Sequence, residues 1–274
     1  MPLHHDYIDV HGTRCVRLRG EDGASALVAL HGAHLLSWIP ADGCERLFLS
    51  ERARYDAGAA IRGGVPVIFP QFAARGPLAK HGFARTLPWR FAGAGDQATF
   101  ELTHSAATAS WPHAFGAWLH ISLADASLGV TLDIHNDGPD AFAFTAALHT
   151  YLAVGSLDAV SLHGLEGCTY EDSAHGGVIR AQQDEALRFD GEIDRIYAAP
   201  SRPVELFDDT RRLAISQRGF PDTVVWNPGA GLAATIGDLV PGDHTRFVCV
   251  EAALARAPLV LAPGARWSGT QHLS

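Results

Sequence analysis

Apolar and polar residues alternate along this chain in short runs, each closed by Gly, Pro or Asp, and that rhythm leaves few folds open. Residues 15–19, 25–30, 97–103, 119–124 and 129–136 all carry it, and 204–207, 213–217, 223–226 and 246–253 continue it. A period of two places successive side chains on opposite faces of a strand, whereas an amphipathic helix needs an apolar period near 3.6. No window of about twelve residues shows the helical period, and only 125–129 and 228–240 leave room for a short helix. Residues 45–50, 160–165 and 259–261 read as further strands, 113–119 is ambiguous, and a turn around Asp125-Ala126-Ser127 is predicted to join two of the longer strands. No repeat at a fixed spacing and no low-complexity linker divides the chain. Many short strands spaced about every ten residues mean an antiparallel sandwich or barrel. The expected class is all-β, in one domain spanning residues 1–274.

With 274 residues, 47% of them hydrophobic and 19% charged, such a chain buries a core without help from disulfides or metals. A formal charge of −9 excludes a general nucleic-acid or anionic-membrane surface while permitting one local basic pocket. The cysteines at 15, 44, 168 and 249 form no CxxC pair, and the N-terminus lacks the basic and apolar regions of a signal peptide. No stretch reaches the ~18 apolar residues of a membrane helix. These features predict a reducing cytoplasm. Among fifteen histidines, His4-His5, His31/His34 and His113/His120 fit no ligand pattern, so no metal site is expected.

Chemistry concentrates in residues 61–85. Arg62 precedes Gly63-Gly64, the apolar run Val65-Pro66-Val67-Ile68-Phe69-Pro70 follows, and Lys80-His81-Gly82-Phe83-Ala84-Arg85 closes the stretch. Its glycines allow close backbone approach and its prolines rule out a long helix. Arginine forks suit carboxylate or phosphate, although a loop of solvated charges around one buried strand would read the same way.

Two polar residues stand in otherwise apolar strands. His149 lies at the end of 142–152, and Glu251 lies in Phe247-Val248-Cys249-Val250-Glu251-Ala252-Ala253. Burying an imidazole without partners is costly, so His149 either makes a structural hydrogen bond or faces a cleft. Burial of a carboxylate raises its pKa toward the range of a general base, unless Glu251 is a strand-edge group paired with an arginine. Asp194, in Asp194-Arg195-Ile196-Tyr197, is either a site residue or a surface ion-pair partner.

Read in order, Arg62-Gly63-Gly64, Phe69-Pro70, His81-Gly82-Phe83-Ala84-Arg85, Leu148-His149-Thr150-Tyr151, Asp194-Arg195-Ile196-Tyr197, Val225-Trp226-Asn227-Pro228 and Cys249-Val250-Glu251 resemble the hexose-6-phosphate mutarotases, the glucose-6-phosphate 1-epimerases of the aldose 1-epimerase superfamily. The resemblance runs from Gly32-Ala33-His34 to Leu261-Ala262-Pro263-Gly264 and Trp267, nearly the whole chain. It implies a large galactose mutarotase-like antiparallel β-sandwich without cofactor or metal. It also implies His149 as general acid and Glu251 as general base, with Arg62, Arg85 and Asp194 lining the substrate site. Lys80 stands where relatives often carry Gln, and His81 is a substrate contact or an outer support.

The residue types suit the chemistry independently. Exchanging α and β anomers removes the C1 hydroxyl proton, protonates the ring oxygen, opens the ring and closes it from the other face. One acid and one base that exchange roles suffice, with gains of ~10²–10⁴. His149 and Glu251 are therefore expected to face each other across one pocket at a sugar-ring separation, and the arginines point to a 6-phosphate. An epimerase for neutral aldoses, or a carbohydrate-binding protein on the same fold, are the alternatives. A glycoside hydrolase would want two carboxylates about one bond. The expected partner is a small sugar phosphate, with no nucleic acid or membrane, and the chain is expected to act as a monomer.

Overall fold

The alternating runs pair into three sheets, described over residues 2–124, 126–209 and 211–274 of a computed structural model. Every pairing between strands among these residues is antiparallel. A four-stranded sheet runs in sequence order from His4–Val10 to His34–Ile39. A nine-stranded sheet has Ser127–Asn136 between Phe115–Ala124 and Arg266–Leu273. An eight-stranded sheet has Phe247–Leu261 at its middle, with Asp222–Asn227 and then Ile193–Ala198 on one side, and Phe142–Leu148 and then Val67–Ile68 on the other. The main core joins all three, from Val16 and Trp38 through Phe100 and Leu132 to Val225 and Val250. This is the all-β sandwich the alternation predicts.

The differences are local. Residues 45–50 contribute only isolated bridges, Leu47 to Leu152 and Leu49 to Gly63, and the runs at 246–253 and 259–261 are one long strand. The segment 228–240 does hold a short helix, Gly229–Ala233. Ser127 already belongs to Ser127–Asn136, and the predicted turn around Asp125-Ala126-Ser127 falls partly outside the described residues. No helix among the described residues is long and apolar enough to cross a membrane.

What positions a site is the parity of the central strand. Val248, Val250, Ala252 and Leu254 point into the main core. On the opposite face Phe247 and Cys249 join one small apolar cluster, and Ala253 and Ala255 join another. Glu251 is the polar position between those two clusters. Both faces of the strand are thus covered, as expected at the centre of a sheet packed on two sides. Each fully buried aliphatic or aromatic side chain contributes ~1.5–3 kcal/mol, so the cores can offset a few buried polar groups.

Candidate active site

Leu148 pairs with Ala252 and Tyr151 with Cys249, one unbroken register, so His149 stands opposite Glu251. Between these pairs the ladder loosens, because Thr150 N–H turns back to the carbonyl of Leu148. Gln271, reaching from the nine-stranded sheet, closes the gap from the core side: its Oε1 accepts from the Thr150 hydroxyl and its Nε2 donates to the carbonyl of Val250 at 2.9 Å. His149 Nε2 lies 3.2 Å from Glu251 Oε1, with their side chains 10% and 1% exposed. The expected sugar-ring separation is therefore corrected to direct contact. The physical reason is that directly opposed positions on neighbouring strands project their side chains to the same face at close range. Contact also suits the chemistry, since the C1 hydroxyl and the ring oxygen share one carbon.

The stretch 61–85 wraps this pair. Residues 64–68 continue the sheet beside it, with Tyr151 N–H donating to Gly64 O at 2.9 Å and His149 N–H to Pro66 O at 3.1 Å. Gln71 then organises the loop that follows. Its Nε2 donates to the carbonyls of Ala73 and Leu78, and its Oε1 accepts from Leu78 N–H. His81 sits at a φ of 70°, and its Nδ1 accepts from Ala73 N–H at 3.2 Å. The remaining proton of its neutral ring is thereby placed on Nε2.

A cavity of about 580 Å³ opens over these residues. His149, Glu251, Arg62, Arg85, Asp194, Lys80 and His81, all seven residues singled out from the sequence, line it. The lining also includes Phe72, Arg75, Glu171, Val224 and Trp226. Sequence reasoning passed over Arg75 although it lies within the same cationic stretch, and gave Trp226 no role although it stands in a quoted motif. Glu171 and Gln271 carried no local signal. Among the described residues no group of three or more His, Cys, Asp or Glu side chains is arranged to hold a metal ion.

Electrostatics separate the cations. Arg62 Nε donates to Asp238 Oδ1 at 3.0 Å and its Nη1 to the Tyr151 hydroxyl at 2.8 Å. Burial works to lower the Arg62 pKa, but Tyr151 and Asp238 together outweigh it and leave it raised. Arg75 is ion-paired with Glu171. Among the described residues Arg85 has no carboxylate partner; Nη2 donates to the carbonyl of Lys80 at 3.1 Å, and Nε is buried without a partner. Burial lowers its pKa, a sign of a cation short of counter-charge. Glu251 Oε2 and His149 Nδ1 are likewise buried with no partner on another described residue.

Burial, aided by the charge of Asp194, holds the Glu251 carboxyl well above the ordinary carboxylate range, while Arg85 and Lys80 oppose the shift. Burial, with His81, Arg85 and Arg62 around it, holds the His149 imidazole well below its ordinary value. Both groups are thus shifted toward their neutral forms, with Nε2 and Oε1 3.2 Å apart. Burial pushes Asp194 up to about 6 and His81 down to about 2, the latter with help from Arg85 and Lys80.

Comparison with known proteins gives one answer at three levels. The aldose 1-epimerase family model matches residues 14–274. A Cenchrus ciliaris protein provisionally named a glucose-6-phosphate 1-epimerase is 33% identical over 96% of this chain and 85% of its own length. An Escherichia coli K12 protein of the same provisional name is 39% identical over 84% of this chain and 80% of its own. A Salmonella typhimurium crystal structure, provisionally described as a mutarotase, superposes with a TM-score of 0.90 at 31% identity, covering 98% of this chain and 92% of that one.

Proposed function

The chain belongs to the aldose 1-epimerase family, and from that premise we propose that it interconverts the α and β anomers of a hexose 6-phosphate, glucose 6-phosphate foremost. In this reading Glu251 as carboxylate takes the C1 hydroxyl proton while His149 as imidazolium protonates the ring oxygen. The C1–O5 bond breaks, its electron pair stays with O5, and C1 becomes an aldehyde. Rotation about C1–C2 presents the other face. Closure returns the His149-derived proton from O5 to His149 and the Glu251 proton to O1, so the pair ends as it began. The open-chain stage carries a neutral imidazole and a protonated carboxyl. That is the proton arrangement burial favours, so the site is preorganised for the intermediate. His81 Nε2–H and Asp194 supply a donor and an acceptor for sugar hydroxyls.

The observation that carries the phosphate is Arg85. It is a half-buried guanidinium without a carboxylate partner among the described residues, beside exposed Lys80, in the cavity that holds the His149–Glu251 pair. A charge-assisted hydrogen bond contributes ~1.5–3 kcal/mol. Arg85→Ala should therefore raise KM for glucose 6-phosphate by roughly ten- to a hundredfold and barely change turnover of glucose. Saturation-transfer NMR on both sugars decides it. Equal loss on both would make Arg85 structural, and wild-type indifference to the phosphate would favour a neutral-aldose epimerase. We read the chain as one domain, supported by a core running from Leu3 to Leu273. A cytoplasmic location fits four cysteines that are all free thiols.

A further inference from the structure

A working imidazole is usually oriented by a partner residue on its second ring nitrogen. His149 Nε2 faces Glu251, and its Nδ1 is buried without a partner on another described residue. Its ring plane is set by packing instead. Tyr151 stacks on it at 4.9 Å between centroids and 13° between planes. Trp226 meets it edge-on at 5.8 Å and His81 at 5.7 Å. Edge contacts tolerate rotation of the imidazole about its own axis, and a parallel face does not.

The stacked ring is itself pinned. The Tyr151 hydroxyl accepts from Arg62 Nη1 at 2.8 Å, and Arg62 Nε donates to Asp238 Oδ1 at 3.0 Å. Asp238 follows the short helix Gly229–Ala233, far along the chain from the sheet positions it controls. Neither Asp238 nor Tyr151 lines the cavity. We infer that Asp238, Arg62 and Tyr151 form a positioning relay that sets the ring plane of His149, with Asp238 and Tyr151 behind the cavity wall and Arg62 in it. This inference rests on the epimerase reading of the cavity. Asp238 fixes the guanidinium, the guanidinium fixes the phenol, and the phenol face holds the imidazole aligned with Glu251. Arg62 thereby serves the acid more than the phosphate, which falls to Arg85 and Lys80.

The test compares Asp238→Ala, Asp238→Asn and Tyr151→Phe with the wild type on glucose 6-phosphate. Asp238→Ala should lower kcat about tenfold, the scale of one hydrogen bond, with KM within about threefold. Asp238→Asn keeps an amide oxygen for Arg62 Nε and should restore most of the rate. Tyr151→Phe keeps the stack but loses the pin, and should behave like Asp238→Ala. The ¹⁵N signals of the His149 ring should move in Asp238→Ala and return in Asp238→Asn, a readout that needs no turnover. Unchanged kcat and ring signals in Asp238→Ala would overturn the relay, as would a rise in KM alone, which would make Arg62 a substrate contact. Should Asp238→Ala fail to fold, Tyr151→Phe decides by the same measures. Absence of anomer exchange in the wild type would count against the reading of the site, and the ring signals would still decide the relay.

Discussion

At His149 and Glu251 burial shifts two titrations in opposite directions. Unperturbed groups of these types titrate at 6.5 and 4.5, so a free pair would hold a single ionisable proton between them only across that interval. Here burial lowers the imidazole and raises the carboxyl, which moves that proton from the imidazole toward the carboxyl. The expected outcome is a kcat for anomer exchange without the inflection near 6.5 that an ordinary imidazole would give. A profile that turns over at 6.5 would mean that burial does not shift His149. Asp194 carries the opposite kind of information, a cost. Burial raises it from 3.8 to about 6, so its folded-state contribution is fully present below 3.8 and is lost as pH rises through about 6. Asp194→Asn should thus raise the melting temperature at pH 7.5 by a few °C, from a penalty of at most about 3 kcal/mol before screening, and much less at pH 4. The same substitution should lower turnover. A gain over the wild type no larger at pH 7.5 than at pH 4 would show that solvent or Lys80 already relieves the charge.

At the scale of the element, the turn Arg62-Gly63-Gly64 brings the edge segment against the sheet. Gly64 holds a φ of 60°, and a Cβ there would lie 2.2 Å from the carbonyl oxygen of Leu35. Gly64→Ala should cost about 2 kcal/mol or more and lower the melting temperature by roughly 5 °C or more, with kcat falling because Tyr151 is hydrogen-bonded to this residue. An unchanged melt would mean that the turn relaxes freely. The same elements show what the sequence made legible. Alternation located most strands, since a strand with one polar face must alternate. Polar residues inside apolar strands located His149 and Glu251, since such a placement needs a reason. Their direct contact was not legible, because it depends on which strands pair and in what register. Arg75 and Glu171 went unread because an ion pair between a loop and a strand distant in sequence leaves no periodic trace. The hairpin of Thr169–Asp172 and Val178–Ala181 was hidden for a similar reason: at the sheet edge Val178 and Ile179 are exposed, so apolar residues there do not mark a buried face.

Over the whole molecule two fields act on an anionic sugar. The chain carries −9, while Arg62, Arg75, Lys80 and Arg85 line the cavity against Glu171, Asp194 and Glu251. Of those carboxyls Glu171 is engaged by Arg75, and Glu251 is held toward its neutral form, so the cavity is locally positive. The two fields differ in range. At 0.01 M salt the Debye length of about 30 Å is comparable to the molecule, and a phosphate dianion approaching the cavity feels the net negative charge. At 0.1 M it shrinks to about 10 Å, which silences the distant carboxylates and leaves the pocket cations. At 1 M, about 3 Å, those too are screened at their exposed ends. The kcat/KM for glucose 6-phosphate should therefore rise by about twofold or more between 0.01 and 0.1 M salt and fall again toward 1 M. For glucose, which carries no charge, the same series should be flat. Initial rates of anomer exchange measured with a monovalent chloride salt would read both curves. A monotonic decline for the phosphorylated sugar would mean that the pocket cations dominate at every distance, and equal curves for the two sugars would remove the case for a phosphate-reading site.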